Sequence, residues 1–230
     1  MKGLLRFNRP GIAASVSDSD IPLLKDDQLK SIDLIELRID LFEDLSLDHI
    51  KGVFKKAEGF NKPLIATVRD VKEGGAKEIA DSDRLNIYEA IADRASMIDV
   101  EIRSSILRDV KEVCKKGNTL LIASFHDFNT TPERDEIIEI INTARAAGAD
   151  IVKIATRVEN EKHIRLLTEI TLMEYGKGII TIGMGQKGLI TRVVFPVLGS
   201  LFTFASVGAP KAPGQIPVTE LREIINRLYG

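Results

Sequence analysis

Eight times along this chain, a short run rich in Ile, Val, Leu, Thr or Phe is followed by a stretch in which apolar residues recur every three or four positions. The first pattern suits a strand of a parallel sheet, and the second an amphipathic helix. Parallel neighbours need a crossover between them, so strict alternation leaves two architectures: a closed barrel or an open doubly wound sheet. Eight evenly spaced units without a long linker favour closure, which predicts an α/β chain, a (β/α)8 TIM barrel forming a single domain over residues 1–230.

The strands are expected at 12–17, 34–39, 64–69, 97–102, 120–125, 151–155, 179–184 and 201–206. Helical periodicity covers 20–30, 44–59, 81–95, 107–117, 131–148 and 217–230, among others. Thr131 reads as an N-cap with Pro132 at the first helical position, and Gly117 and Gly148 follow helical runs as stop signals.

Composition excludes several classes. Hydrophobic residues at 44% and charged residues at 29% are those of a packed globular protein rather than a disordered one. The 32 basic and 34 acidic side chains are interspersed, with no basic arm or stripe, so nucleic acid is not an expected partner. Cys114 is the single cysteine and falls at helical spacing with Val110 and Val113, which predicts a buried, unreactive thiol and a reducing, cytoplasmic setting. No run approaches the roughly 18 apolar residues of a membrane span. The opening MKGLLRFNRPG is too short and too charged for a secretory leader, so neither membrane nor export is expected.

Strand parity then separates two faces. In IELRID, Ile35, Leu37 and Ile39 share one side, while Glu36, Arg38 and Asp40 share the other. The same split places Ser15 with Ser17, Thr67 with Arg69, Asp99 with Glu101, and Ser124 with His126. The apolar sets belong under the helices and the polar sets inside the barrel. That many charges near strand C-terminal ends are costly unless they pair or meet a polar ligand, and barrel active sites sit at that end. Singly, each has a plainer reading: Glu36 and Arg38 as a structural ion pair, Arg69 or Glu101 as a loop tether.

Lys153 lies in DIVKIA, among apolar or small residues. Burial disfavours an ammonium, so a lysine there is expected to supply a nucleophilic amine able to condense with a ketone or aldehyde. The competing reading is a lysine whose stem packs and whose head snorkels to the rim. Of the three histidines, His49 and His163 fall on helical segments and read as solvated. His126 ends the fifth strand just before a loop, where a general acid or base could reach a ligand at the barrel mouth.

Three loops are glycine-rich. GMGQKG at 183–188 matches a dinucleotide fingerprint, but it follows the seventh strand rather than the first, and no acidic residue ends the next strand. An anion site built from its backbone N–H groups fits better, with Arg192 adding charge for a carboxylate or phosphate. KEGGAKE at 72–78 and APKAPGQIP at 209–217 read as mobile loops able to close over a ligand, or as ordinary turns.

Taken in order, ELRID, TVRD followed by KEGG, SFHDF, VKIA, GMGQKGLITR and APGQ resemble the successive signatures of type I 3-dehydroquinate dehydratases across nearly the whole chain. The resemblance implies a (β/α)8 barrel, commonly a homodimer, that converts 3-dehydroquinate to 3-dehydroshikimate and water with no metal or organic cofactor. It implies Lys153 as the imine-forming residue, His126 as the base for the C2 proton and then the acid for the C1 hydroxyl, and Glu73 as the group that orients His126. Glu36, Arg38 and Arg69 would bind substrate hydroxyls, Arg192 would pair with the carboxylate, and Gln215 would belong to the closing loop. Asp99 would support the site from behind, and Met184 would form a pocket wall. Two positions depart from the family pattern: Lys211 stands where Ser or Thr is usual before APGQ, and Thr191 replaces the usual Ser before Arg192. Lys211 would add positive charge near the substrate carboxylate. A class I Schiff-base aldolase and a non-catalytic small-molecule binding barrel are the alternatives.

Overall fold

The structure, a computed structural model, describes residues 9–229; most of the opening segment read against a leader lies outside them. Eight strands, β1 (Gly11–Val16), β2 (Leu34–Arg38), β3 (Leu64–Thr67), β4 (Met97–Glu101), β5 (Leu120–Asp127), β6 (Ile151–Arg157), β7 (Ile179–Met184) and β8 (Phe202–Ser206), alternate with eight helices. The helices are α1 (Asp26–Ser31), α2 (Leu47–Glu58), α3 (Asp81–Ile91), α4 (Leu107–Gly117), α5 (Arg134–Ala146), α6 (Glu161–Met173), α7 (Leu189–Leu198) and α8 (Val218–Tyr229). All neighbouring strands are parallel, in the order β7-β6-β5-β4-β3-β2-β1-β8. At the remaining seam the Leu201 N–H donates to the Ile179 carbonyl at 2.8 Å, so β7 and β8 meet at their N-terminal ends and the barrel is nearly closed.

Side-chain alternation builds two cores. Outward residues such as Ile35, Leu37, Val100 and Ile154 pack under the helices. Inward residues near the strand starts, including Leu34, Ile65, Met97, Ile122, Ile180 and Phe202, fill the barrel as an apolar plug. One inward step further along, the same face turns polar with Ser15, Glu36, Asp99, Ser124 and Lys153, all buried. The expected parity therefore holds strand by strand, and it stacks a polar layer on a greasy floor.

Boundaries shift where side chains intervene. β3 stops at Thr67 because the Val68 N–H donates to the Tyr88 hydroxyl at 3.0 Å instead of joining the ladder. β5 and β6 run two residues longer than expected, with His126 opposite Ala155 and Asp127 opposite Thr156. Segment 20–30 is not one helix: a short 3-10 turn at Ile21–Leu23 precedes α1, with Leu24 in a non-helical conformation between them. The Thr131 cap is corrected too. α5 begins at Arg134 with Glu133 as its N-cap, while the Thr131 hydroxyl donates to the Arg157 carbonyl at 2.8 Å and pins the loop to the end of β6. Gly117 is the last residue of α4, and Asn118 takes the left-handed position after it. Cys114 is fully buried, and burial pushes its thiol up to about 12, which fits the inert role expected of it.

Candidate active site

The polar layer opens into a cavity at the C-terminal ends of the strands, lined by Glu36, Arg69, His126, Lys153 and Arg192 among others. Lys153, on β6, points into it and is 4% exposed. Its Nζ lies 2.9 Å from Asp99 Oδ2 and 3.8 Å from Glu36 Oε1, and 4.3 Å above the centre of the Phe204 ring. A greasy setting was expected here. The apolar neighbours Val152 and Ile154 face the helices instead, because alternation turns them outward. What surrounds the amine is two carboxylates and one aromatic face.

Those carboxylates are themselves held. Asp99 is fully buried, a condition that raises a carboxyl pKa, but the charges of Arg69 and Lys153 outweigh it and keep Asp99 well below the usual carboxylate range. Arg69 joins Asp99 Oδ1 at 2.8 Å, Glu101 Oε1 at 2.7 Å and Ser124 Oγ at 2.8 Å. Glu36 accepts from Ser15 Oγ at 2.5 Å and Thr67 Oγ1 at 3.1 Å. The suggested ion pair of Glu36 with Arg38 is not formed. Arg38 grips Asp40 with two parallel bonds, Nε to Oδ1 at 2.8 Å and Nη2 to Oδ2 at 2.7 Å.

His126 lines the same cavity, and burial followed by the positive charges of Arg69 and Lys153 drives its pKa well below the ordinary histidine value. Its imidazole is therefore neutral at physiological pH. Glu73 Oε2 accepts the His126 backbone N–H at 2.8 Å and sits 3.0 Å from Nδ1. Burial, tempered by Arg69, raises Glu73 to about 7. When ionised, this carboxylate fixes the proton on Nδ1 and leaves the Nε2 lone pair free. Phe128 stacks over the imidazole with centroids 6.4 Å apart and planes 18° apart.

For the 72–78 loop a mobile segment and an ordinary turn were both open, and the packing shows what its glycines do. Gly74 sits at φ +89° with the Phe128 ring 2.5 Å from where a Cβ would stand, and a Cβ on Gly75 would meet the Arg69 carbonyl oxygen at 2.1 Å. Both glycines let backbone approach closely; they set Glu73 in place.

The glycines at the end of β7 and in the loop after it are held in the same way. The Gly183 N–H donates to Thr191 Oγ1 at 2.9 Å, Gly185 to the Pro213 carbonyl at 3.3 Å and Gly188 to the Gly185 carbonyl at 3.1 Å. Those donors are engaged within the protein, so they form no anion cradle. The positive group that remains is Arg192, 2% exposed, which donates to the carbonyls of Phe204 at 3.0 Å and Pro213 at 3.2 Å while its Nε lacks a partner. Burial alone lowers it to about 10. A buried cation with no facing carboxylate costs several kcal/mol, and it faces the cavity.

Met184 forms part of the cavity wall, and Gln215 and Lys211 come from the loop after β8. Gln215 Nε2 donates to Ser15 Oγ at 3.3 Å, and its Oε1 accepts the Lys211 N–H at 2.6 Å. The Lys211 ammonium is not free for a ligand's charge as expected, because it pairs with Asp20 at 2.7 Å. Thr191 lies beneath the rim rather than on it, buried and bonded to backbone. His49 and His163, read as solvated, have partners: His49 Nε2 lies 2.8 Å from Asp18 Oδ2, and His163 Nδ1 accepts the Glu159 N–H at 3.3 Å. Parity alone singled out Ser15 and Ser124. Phe128, Phe204 and Arg84 were not foreseen, since an aromatic or a helical arginine carries no signal without its neighbours.

Among the described residues no cluster of three His, Cys, Asp or Glu is placed to hold a metal ion, and no helix is long and apolar enough to cross a membrane. Residues 14–230 match the family model for type I 3-dehydroquinase. The chain is 38% identical to a 3-dehydroquinate dehydratase of Thermodesulfovibrio yellowstonii, over 96% of each chain, and 36% identical to one of Methanococcus maripaludis, over 94% of this chain and 96% of the relative. Among solved structures, a type I 3-dehydroquinate dehydratase from Clostridium difficile with covalently modified comenic acid superposes with a TM-score of 0.85 at 32% identity, covering 96% of this chain and 92% of that one. The 3-dehydroquinate dehydratase of Geobacillus kaustophilus gives 0.87 at 27% identity, covering 96% and 91%. The family model spans nearly the whole chain and relatives above 30% identity cover almost all of it, on the same (β/α)8 barrel: this chain belongs to the type I 3-dehydroquinase family.

Proposed function

We propose that the cavity dehydrates 3-dehydroquinate to 3-dehydroshikimate through an imine on Lys153. The observation that carries this is the convergence of the buried Lys153 amine, the neutral His126 and the unpaired Arg192 on one small cavity. The Lys153 amine adds to the substrate ketone and water leaves, so that a C=N bond replaces C=O. His126 Nε2 takes the neighbouring C2 proton, and the electron pair is held as an enamine. The enamine then expels the C1 hydroxyl, which leaves as water with the proton from His126, and hydrolysis of the iminium frees product and amine. One base serves twice, so both bonds break on the same face and the elimination is syn.

The remaining groups bind and orient. Arg192 receives the substrate carboxylate, which supplies the counter-charge it lacks. Arg38, Arg69 and Glu36 meet the hydroxyls, Gln215 lies over the ring from the loop after β8, and Met184 supplies apolar wall. Glu73 holds the tautomer of His126. An aldolase acting on a phosphorylated sugar is disfavoured, because the N–H groups of Gly185 and Gly188 in the loop after β7 are engaged within the protein.

A single, buried cysteine suits the cytoplasm. α7 leaves Ile190 and Val197 about half exposed, with Tyr175 close beside its end, an apolar face suited to a second copy in a homodimer.

Borohydride added with 3-dehydroquinate should trap one covalent adduct, located by peptide mass spectrometry on Lys153. No adduct, or one on a different lysine, would overturn the reading.

A further inference from the structure

A guanidinium buried beneath α3, outside the cavity, has no place in the reaction as described. Arg84 is 1% exposed, and burying an arginine there costs several kcal/mol that a Leu or Met would not. It is held by the Val68 carbonyl, at 3.2 Å from Nε and 3.0 Å from Nη2, and by Asp81 Oδ1 at 3.2 Å. Its Nη2 also donates to Glu101 Oε2 through a short, buried bond.

From Glu101 the charges alternate inward. Glu101 gives Oε2 to Arg84 and Oε1 to Arg69. Arg69 gives Nη1 to Glu101 and Nη2 to Asp99, and Asp99 gives Oδ1 to Arg69 and Oδ2 to Lys153. Each carboxylate thus joins two cations, one oxygen to each, in the row Arg84–Glu101–Arg69–Asp99–Lys153. We propose that Arg84 is a positioning residue for the reaction at Lys153, acting through Glu101 and Arg69 on the carboxylate that seats the amine. This rests on the reading of Lys153 as the imine-forming residue.

The geometry gives the consequence of its removal. Without Arg84, Glu101 keeps its charge with one arginine to neutralise it, and it draws the Arg69 fork toward itself. Arg69 then loosens on Asp99, which is left to Ser124 and Lys153 and binds the ammonium more tightly. The amine loses its orientation and its ease of leaving the ion pair. Of the groups that bind substrate only Arg69 shifts, because Glu36 is anchored on Ser15 and Thr67, Arg38 on Asp40 and Arg192 on the carbonyls of Phe204 and Pro213, so substrate binding changes less than the seating of the amine.

The test uses the full chain, steady-state turnover of 3-dehydroquinate, and the rate of borohydride trapping. Arg84→Met is expected to lower kcat about tenfold or more and to slow trapping in proportion, with KM within about twofold of wild type. In a Glu101→Gln background the same substitution should cause no further loss, since its route runs through that carboxylate. Arg84→Lys, which keeps the charge but not the fork, should fall between.

A folded Arg84→Met with wild-type kcat, even at a lowered melting temperature, would make the residue merely structural and end the proposal. Losses that multiply in the double variant would end it too. Should Arg84→Met not fold, Arg84→Lys decides: kcat reduced at constant KM supports the assignment, and unchanged kcat overturns it. Wild-type protein that neither turns over 3-dehydroquinate nor forms the Lys153 adduct would remove the functional reading and this inference together. Active wild type with indifferent Arg84 variants removes this inference alone.

Discussion

Two titrations of opposite sense meet at His126. The imidazole is kept neutral by burial and nearby cations, while Glu73 beside it is raised to about 7. The limb of the pH profile near neutrality should therefore belong to the carboxylate. For wild type, kcat/KM is expected to rise through about pH 7 as Glu73 ionises. In Glu73→Gln that limb disappears, leaving a flatter and lower profile; a limb that persists unchanged would assign it elsewhere. Stability follows with its own sign. A carboxylate with a folded pKa above its unfolded value of 4.5 binds its proton more tightly when folded, so its contribution falls as pH rises from there to about 7 and then levels off. The melting temperature of Glu73→Gln relative to wild type should accordingly climb across that window.

Parity in short strands made this layer legible: Glu36, Arg69, Asp99 and His126 could be assigned an inward direction from alternation alone. Partner choice could not be read. Arg38 takes Asp40 because the chain turns into a 3-10 helix just after β2, carrying Asp40 off the strand and up against the guanidinium. The role of Glu73 came only with the family resemblance, since nothing in KEGG announces a contact with a histidine 53 residues on.

At the level of loops, Lys211 sets this chain apart from the family pattern. Its bond to Asp20 joins the loop after β8 to the loop after the neighbouring β1, at one side of the cavity. Asp20 is steadied in turn by the Ser17 N–H and hydroxyl, both at 2.9 Å. A pair with side chains 14% and 9% exposed is screened less by salt than a surface pair. Lys211→Ala is expected to raise KM severalfold and to speed proteolysis within 209–217 in the absence of substrate. Equal cleavage rates for the two proteins would mean that the pair does not hold the loop. The sequence located this loop correctly, but the ammonium's partner lies almost two hundred residues away and left no local trace. The glycine loops left two readings open for one reason: glycine permits motion or close approach, and composition does not distinguish them. Here Gly74, Gly75, Gly183 and Gly188 all stand where a Cβ would collide.

Across the whole molecule, the alternation of strand and helix carried the architecture, because eight crossover units and a twisted parallel sheet have few ways to close. What alternation cannot specify is which outer surface another molecule covers. The exposed face of α7 makes that testable: sedimentation equilibrium should show a dimer for wild type and a shift toward monomer for Ile190→Glu with Val197→Glu. A monomeric wild type, or a dimer unaffected by both charges, would place the contact elsewhere or remove it.

The plug of Leu34, Ile65, Met97, Ile122, Ile180 and Phe202 closes the barrel from below. Among the described residues that end is packed with buried side chains, so the water set free in each cycle leaves by the mouth through which reactant enters. Entry and exit then share the one mouth lined in part by Lys211, Ala212 and Gln215, and each cycle has to empty that passage before the next can begin.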